Sequence, residues 1–125
     1  MKKENYSLIE DLRHDLHKHP ELSYQEVWTK QKLMDFLTEH TKLELHDGGR
    51  YFYAVYRAEE KKRGAIAFRA DFDALPIEDE IDKPYKSCVP GVGHKCGHDG
   101  HATIGLGVAK VLMSIKDSLH GTMKL

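Results

Sequence analysis

Ala65-Ile66-Ala67-Phe68-Arg69-Ala70-Asp71-Phe72-Asp73-Ala74-Leu75-Pro76 passes directly from an unbroken apolar run into two closely spaced carboxylates and a proline. The short run 65–68 has no polar alternation, which predicts a strand covered on both faces, as in the sheets of α/β proteins. Asp71 and Asp73 then emerge beyond the carboxyl end of that strand, where open α/β sheets hold their ligands. Carboxylates in that place can orient a metal-bound imidazole or bind a cation themselves. They can equally cap the amides of a turn, and the residues alone do not separate these roles.

Upstream, Leu8, Ile9, Leu12 and Leu16 recur at three- and four-residue steps and predict an amphipathic helix over 7–18, stopped by Pro20. Ser23 and Glu26 have the spacing of a capping box and predict a second helix from 23 to about 40. Its buried side is expected from Val27, Trp28, Met34, Phe36 and Leu37. Leu43 and Leu45 alternate with polar residues, Asp47-Gly48-Gly49 offers a turn, and 51–56 is aromatic and β-rich, so strand–turn–strand follows. Residues 59–63 read as a charged, solvated turn. Downstream, 70–101 has little periodicity, as in a functional or disordered loop. Val108, Val111, Leu112 and Ile115 place a helix over 102–115, Gly121 breaks it, and 122–125 opens another strand.

The 125 residues leave room for one domain. Nineteen Lys and Arg against twenty Asp and Glu give a net charge of −1, which provides no bulk-charge case for nucleic acid or a membrane surface. No apolar run approaches the roughly 20 residues of a membrane span. Two cysteines cannot build a disulfide framework, so a reducing cytoplasm is the expected setting. The nine histidines are a surplus that needs an explanation.

Much of that surplus falls in His94-Lys95-Cys96-Gly97-His98-Asp99-Gly100-His101, which carries five potential metal ligands with glycines between them. Thiolate and imidazole suit zinc, cobalt, nickel or manganese to differing degrees. A helix starting just after His101 would favour a thiolate nearby through its dipole. A surface loop that merely contains histidines is the competing reading. His14 and His17 share a helix face but have no local carboxylate or thiolate to complete a set, so they read as solvated or turn-supporting. Cys88 reads as a small semi-buried residue. Gly105-Leu106-Gly107 lacks the strand and lysine of a phosphate loop and reads as a close-packing device.

Three stretches together resemble the start of an M20-type metallopeptidase, of the subfamily acting on N-acyl amino acids, hippurate and indole-acetyl amino acid conjugates. They are 13–23 with Glu26, then Arg69-Ala70-Asp71-Phe72-Asp73-Ala74-Leu75-Pro76-Ile77, then Pro90-Gly91 through Cys96-Gly97-His98-Asp99-Gly100-His101-Ala102. The resemblance implies a three-layer α/β/α zinc-peptidase-like catalytic domain, with residues 1–125 forming its N-terminal part and the dimerisation domain absent. It implies two divalent metal ions (Zn, Mn, Co or Ni), with Cys96 and His98 as ligands and Asp71 as the catalytic carboxylate that orients a ligand. Arg69 stands where other branches carry a metal-binding histidine. The implied substrate is an N-acyl amino acid or small peptide, with neither nucleic acid nor membrane as partner, in a cytoplasmic enzyme that dimerises at full length.

The family's general-base glutamate and its neighbouring glutamate ligand belong to a strand running past Leu125. A catalytically inactive truncated piece is therefore one expectation for these 125 residues, and a small metal-binding or thiol-sensing module built on Cys96 is another. A piece would leave the 65–68 strand without its usual cover and prone to association.

Overall fold

The structure is a computed structural model and describes residues 3–59 and 63–125. Helix α1 (Lys3–Lys18) starts four residues earlier than its apolar pattern requires, and it buries Leu12 and Leu16 as expected. Helix α2 (Val27–His40) starts four residues later than the expected capping box at Ser23, and Glu26 makes no side-chain cap. Instead the Glu21 carboxylate accepts the N–H groups of Trp28 at 3.1 Å and Thr29 at 2.7 Å. Leu22 pairs with Ala74, and the Ala74 N–H donates to the Glu21 carbonyl at 2.8 Å, so a tertiary tie holds the lead-in to α2. The cap therefore comes from an anchored residue upstream rather than from the local motif.

The late start also turns the buried face of α2. Thr29, Leu33, Phe36 and Leu37 are buried along a regular helical stripe. Val27, expected inside, is 77% exposed, and Trp28 is 37% exposed and leans on His19 with ring centroids 4.9 Å apart.

Strands β1 (Glu44–Asp47) and β2 (Phe52–Arg57) form the expected antiparallel pair, with Leu45 opposite Ala54. Gly49 takes φ +85° at the turn, and its N–H donates to Asp47 Oδ1 at 2.8 Å. Residues 60–62 of the expected charged turn lie outside the described residues. Strand β3 (Ala65–Ala67), helix α3 (His98–Ser114) and strand β4 (Thr122–Lys124) complete the order. The sheet runs β1-β2-β4-β3, with β4 antiparallel to β2 and parallel to β3. Gly121 enters β4 at φ +97°, where a methyl group would stand 2.5 Å from the Gly64 carbonyl oxygen. Only glycine fits there.

β3 corrects one expectation. Its three residues are all exposed, and Ile66 is 66% exposed, because the core forms over β2 and takes in no β3 residue; among the described strands β3 is the outer one, paired with β4. The apolar run marked a strand correctly but not one covered on both faces. All three helices meet over β2 in one core that includes Leu16, Leu33, Leu37, Ala54, Leu106 and Ala109. This is a mixed α/β architecture.

Candidate metal centre

β3 and β4 run parallel, and their carboxyl ends open into a cleft of about 780 Å³. Arg69, Asp71, Asp73, His98 and Leu125 are among its lining residues. The strand–carboxylate sequence thus delivers its acidic pair to the edge where parallel sheets place ligands.

Helix α3 begins at His98 rather than after His101, which puts His98, Asp99 and His101 in its first turn. Gly97 permits this start by taking φ +91° in the left-handed region. His98 Nδ1 donates to Asp73 twice, at 2.8 Å to the carboxylate Oδ1 and at 3.0 Å to the backbone oxygen. That bond fixes the tautomer and leaves Nε2 as the ring nitrogen able to ligate a metal. Asp71 makes a different contact: its carboxylate accepts from Arg69 Nη2 at 3.0 Å, with both side chains well exposed. The carboxylate that reaches the candidate imidazole ligand is therefore Asp73.

Cys96 is exposed and free, two residues before His98, but it is not among the residues lining the cleft. Cys88, expected to be semi-buried, is exposed too: its backbone N–H is tied to the Lys18 carbonyl at 2.9 Å while its side chain faces solvent. Among the described residues no three His, Cys, Asp or Glu side chains converge as a metal-binding group. Cys96 and His98 nonetheless have the chemistry for a transition metal: a thiol two residues along the chain from an imidazole whose one nitrogen is held by a carboxylate.

Behind the cleft lies a buried polar network that the sequence pattern did not reveal. His17 is 5% exposed, and each of its ring nitrogens faces a carboxylate: Nδ1 to Asp99 at 2.8 Å and Nε2 to Asp79 at 3.2 Å. Arg13 Nε donates to Asp99 at 3.1 Å, the Ser87 N–H donates to Asp79 at 2.9 Å, and the Lys95 ammonium donates to the other Asp79 oxygen. Burial opposes the ionisation of Asp79, but Lys95 and the N–H groups of Ser87 and Ile81 outweigh it and hold its carboxyl far below the usual range. Burial likewise opposes the ionisation of Asp99, and the His17 hydrogen bond leads the causes that lower it. His94, counted among the potential ligands, is buried, and neither of its ring nitrogens has a hydrogen-bond partner among the described residues. Burial depresses its basicity. His14 stacks on Tyr85 with centroids 3.9 Å apart.

His17, expected from the sequence to be solvated or turn-supporting, is instead buried, because Asp99 and Asp79 take its two ring nitrogens. Nothing in the pattern marked Asp79, which sits in the unpatterned 70–101 stretch. That stretch is ordered: Leu75 pairs with Gly93, and Asp79 holds Ser87 and Lys95.

No helix among the described residues is long and apolar enough to cross a membrane. Residues 67–125 match the model of peptidase family M20/M25/M40. The chain is 42% identical to the N-acetylcysteine deacetylase of Bacillus subtilis over 91% of its own length and 30% of that protein. It is 38% identical to the N-acyl-L-amino acid amidohydrolase of Geobacillus stearothermophilus, over 90% of this chain and 30% of the relative. Its fold superposes on the crystal structure of the Bacillus subtilis YXEP protein, described as a dinuclear metal binding peptidase from the M20 family. The TM-score is 0.93 at 37% identity, covering 99% of this chain and 35% of that one. The chain thus spans about a third of the length of the relatives it matches, and it belongs to the M20 family of amidohydrolases and peptidases.

Proposed function

We propose that this chain is the N-terminal part of the catalytic domain of a metal-dependent amidohydrolase that cleaves the amide bond of N-acyl amino acids or related small peptides. The observation that carries the reading is the Asp73–His98 pair, which lines the cleft and leaves one imidazole nitrogen open, two residues along the chain from the free, exposed Cys96. Cys96 and His98 are the proposed ligands. When two divalent ions are bound, they would polarise the substrate carbonyl and lower the pKa of a water.

The chain's own groups then have distinct tasks. Asp73 holds the Nδ1 proton of His98 and fixes the ring. Gly97 turns the backbone between the two ligands. Asp71, exposed on the cleft wall, is the proposed catalytic carboxylate, and Arg69 holds it at 3.0 Å. Two ligands fall short of the three or four protein ligands usual for zinc, so the 125 residues by themselves are proposed to be inactive. The general base and the remaining ligands would come from outside them. A dimer in a reducing, cytoplasmic setting completes the proposal, in keeping with two unpaired cysteines.

The test is hydrolysis of hippurate and a panel of N-acetyl amino acids by the whole protein encoded by this reading frame, with Mn²⁺, Co²⁺ or Zn²⁺ restored after chelation. Metal-dependent turnover is the expected result. No turnover on any member of the panel with any of these ions would overturn the proposal.

A further inference from the structure

The proposed ligands occupy a five-residue stretch, 95–99, whose two ends are fastened to the same buried group. At one end the Lys95 ammonium donates to Asp79, and Asp79 Oδ2 lies 3.2 Å from His17 Nε2. At the other end Asp99 accepts from His17 Nδ1 at 2.8 Å. His17 comes from α1, Asp79 from the long loop and Asp99 from the first turn of α3. Three distant parts of the chain therefore meet on one imidazole, and the segment between the two fastenings carries Cys96 and His98.

We infer that His17, with Asp79 and Asp99, is a clamp that positions Cys96 and His98 relative to each other, and that Lys95 is the clamp's outer arm. This rests on the reading of Cys96 and His98 as metal ligands and adds positioning residues that lie far from them in sequence.

The geometry argues for positioning over mere burial. An imidazole with a carboxylate against each ring nitrogen has its plane fixed and cannot rotate without breaking both contacts. Asp79 and Asp99 are each 1% exposed, so neither can turn to water instead. Further contacts hold the carboxylates: Ser87 N–H and Arg13 Nε reach the same oxygens that meet His17, and Lys95 holds the other Asp79 oxygen. Groups standing behind metal ligands typically set affinity by 10–100-fold through orientation alone. Cys96 is itself exposed, so what holds it in place has to act through the backbone on either side.

Lys95 gives the most informative variant, because its side chain is 27% exposed and its loss leaves the buried triad whole. Co²⁺ affinity is read by competition titration, and amide hydrogen exchange at 95–99 is followed without metal, with a melting curve on every sample. K95M is expected to weaken Co²⁺ binding about 10-fold and to speed exchange in this stretch, while K95R stays within about threefold of wild type. H17Q is expected to weaken Co²⁺ binding by up to about 100-fold if it folds, and K95M decides the matter if it does not.

A folded K95M with wild-type affinity and wild-type exchange overturns the clamp, as does a K95R no better than K95M. Wild-type protein that binds no Co²⁺, while K95M still loosens 95–99 and K95R restores it, overturns the ligand assignment and supports the clamp.

Discussion

Replacing Asp73 with alanine separates the two carboxylates that follow β3. Asp73 gives His98 two acceptors: the carboxylate at 2.8 Å and its own backbone oxygen at 3.0 Å. The substitution removes the first and spares the second, so the ring keeps its tautomer and loses the charge-assisted bond. Loss of a carboxylate behind a histidine ligand costs 10–100-fold in metal affinity as a rule. Here the surviving carbonyl and the partial exposure of both side chains, 24% and 21%, place the effect at the low end. The expected loss in D73A is about 10-fold in Co²⁺ affinity, or about 1.4 kcal/mol. D73N keeps an oxygen acceptor without the charge and should fall between wild type and D73A. D71N removes a group paired, among the described residues, only with exposed Arg69 and should change Co²⁺ affinity by less than about twofold, whatever it does to turnover. Competition titration with melting curves on the same samples measures all three. A 10-fold loss in D71N with D73A unchanged would refute the assignment of Asp73 as the orienting group.

Other perturbations test the fold that supports the site. L16A empties a fully buried position in the shared helical core and should cost about 2–5 kcal/mol in urea unfolding, with no new charge to complicate the reading. E21A removes the carboxylate that caps α2 and should cost about 1 kcal/mol, whereas S23A should cost far less, the opposite of what the local motif implies. The folded-state pKa of Asp79 is depressed, so its contribution to stability is present above the ordinary carboxylate range and is lost as pH falls below about 4 toward the folded value. Unfolding followed from pH 6 to pH 2 should therefore steepen on the acid side, and D79N should flatten that limb.

The sequence carried the helices, the hairpin and the strand entry at Gly121 because each rests on local periodicity or turn chemistry. Two of the misread features trace to tertiary context that a local pattern does not carry. Ser23 and Glu26 have capping-box spacing, yet the bridge between Leu22 and Ala74 moves the start of α2 four residues on and turns Val27 and Trp28 outward. The 65–67 run reads as a covered strand because composition reports apolarity and not a strand's place in the sheet, and here β3 is at the edge. At the site, Cys96 and His98 stood out because metal-ligand types cluster there, and Asp71 and Asp73 because they follow a strand. Choosing between the two carboxylates required side-chain geometry. The buried contacts of Asp79 were out of reach of any pattern, since its partners His17, Ser87 and Lys95 lie 62, 8 and 16 positions away.

The proposed role of Cys96 as a metal ligand has a control within the protein, since Cys88 is also free and exposed. The most direct measurement is the thiolate-to-Co²⁺ charge-transfer absorption of wild type, C96S and C88S, each at saturating Co²⁺. The band is expected in wild type and C88S and absent in C96S. A band that survives in C96S, or that disappears in C88S instead, would contradict the account.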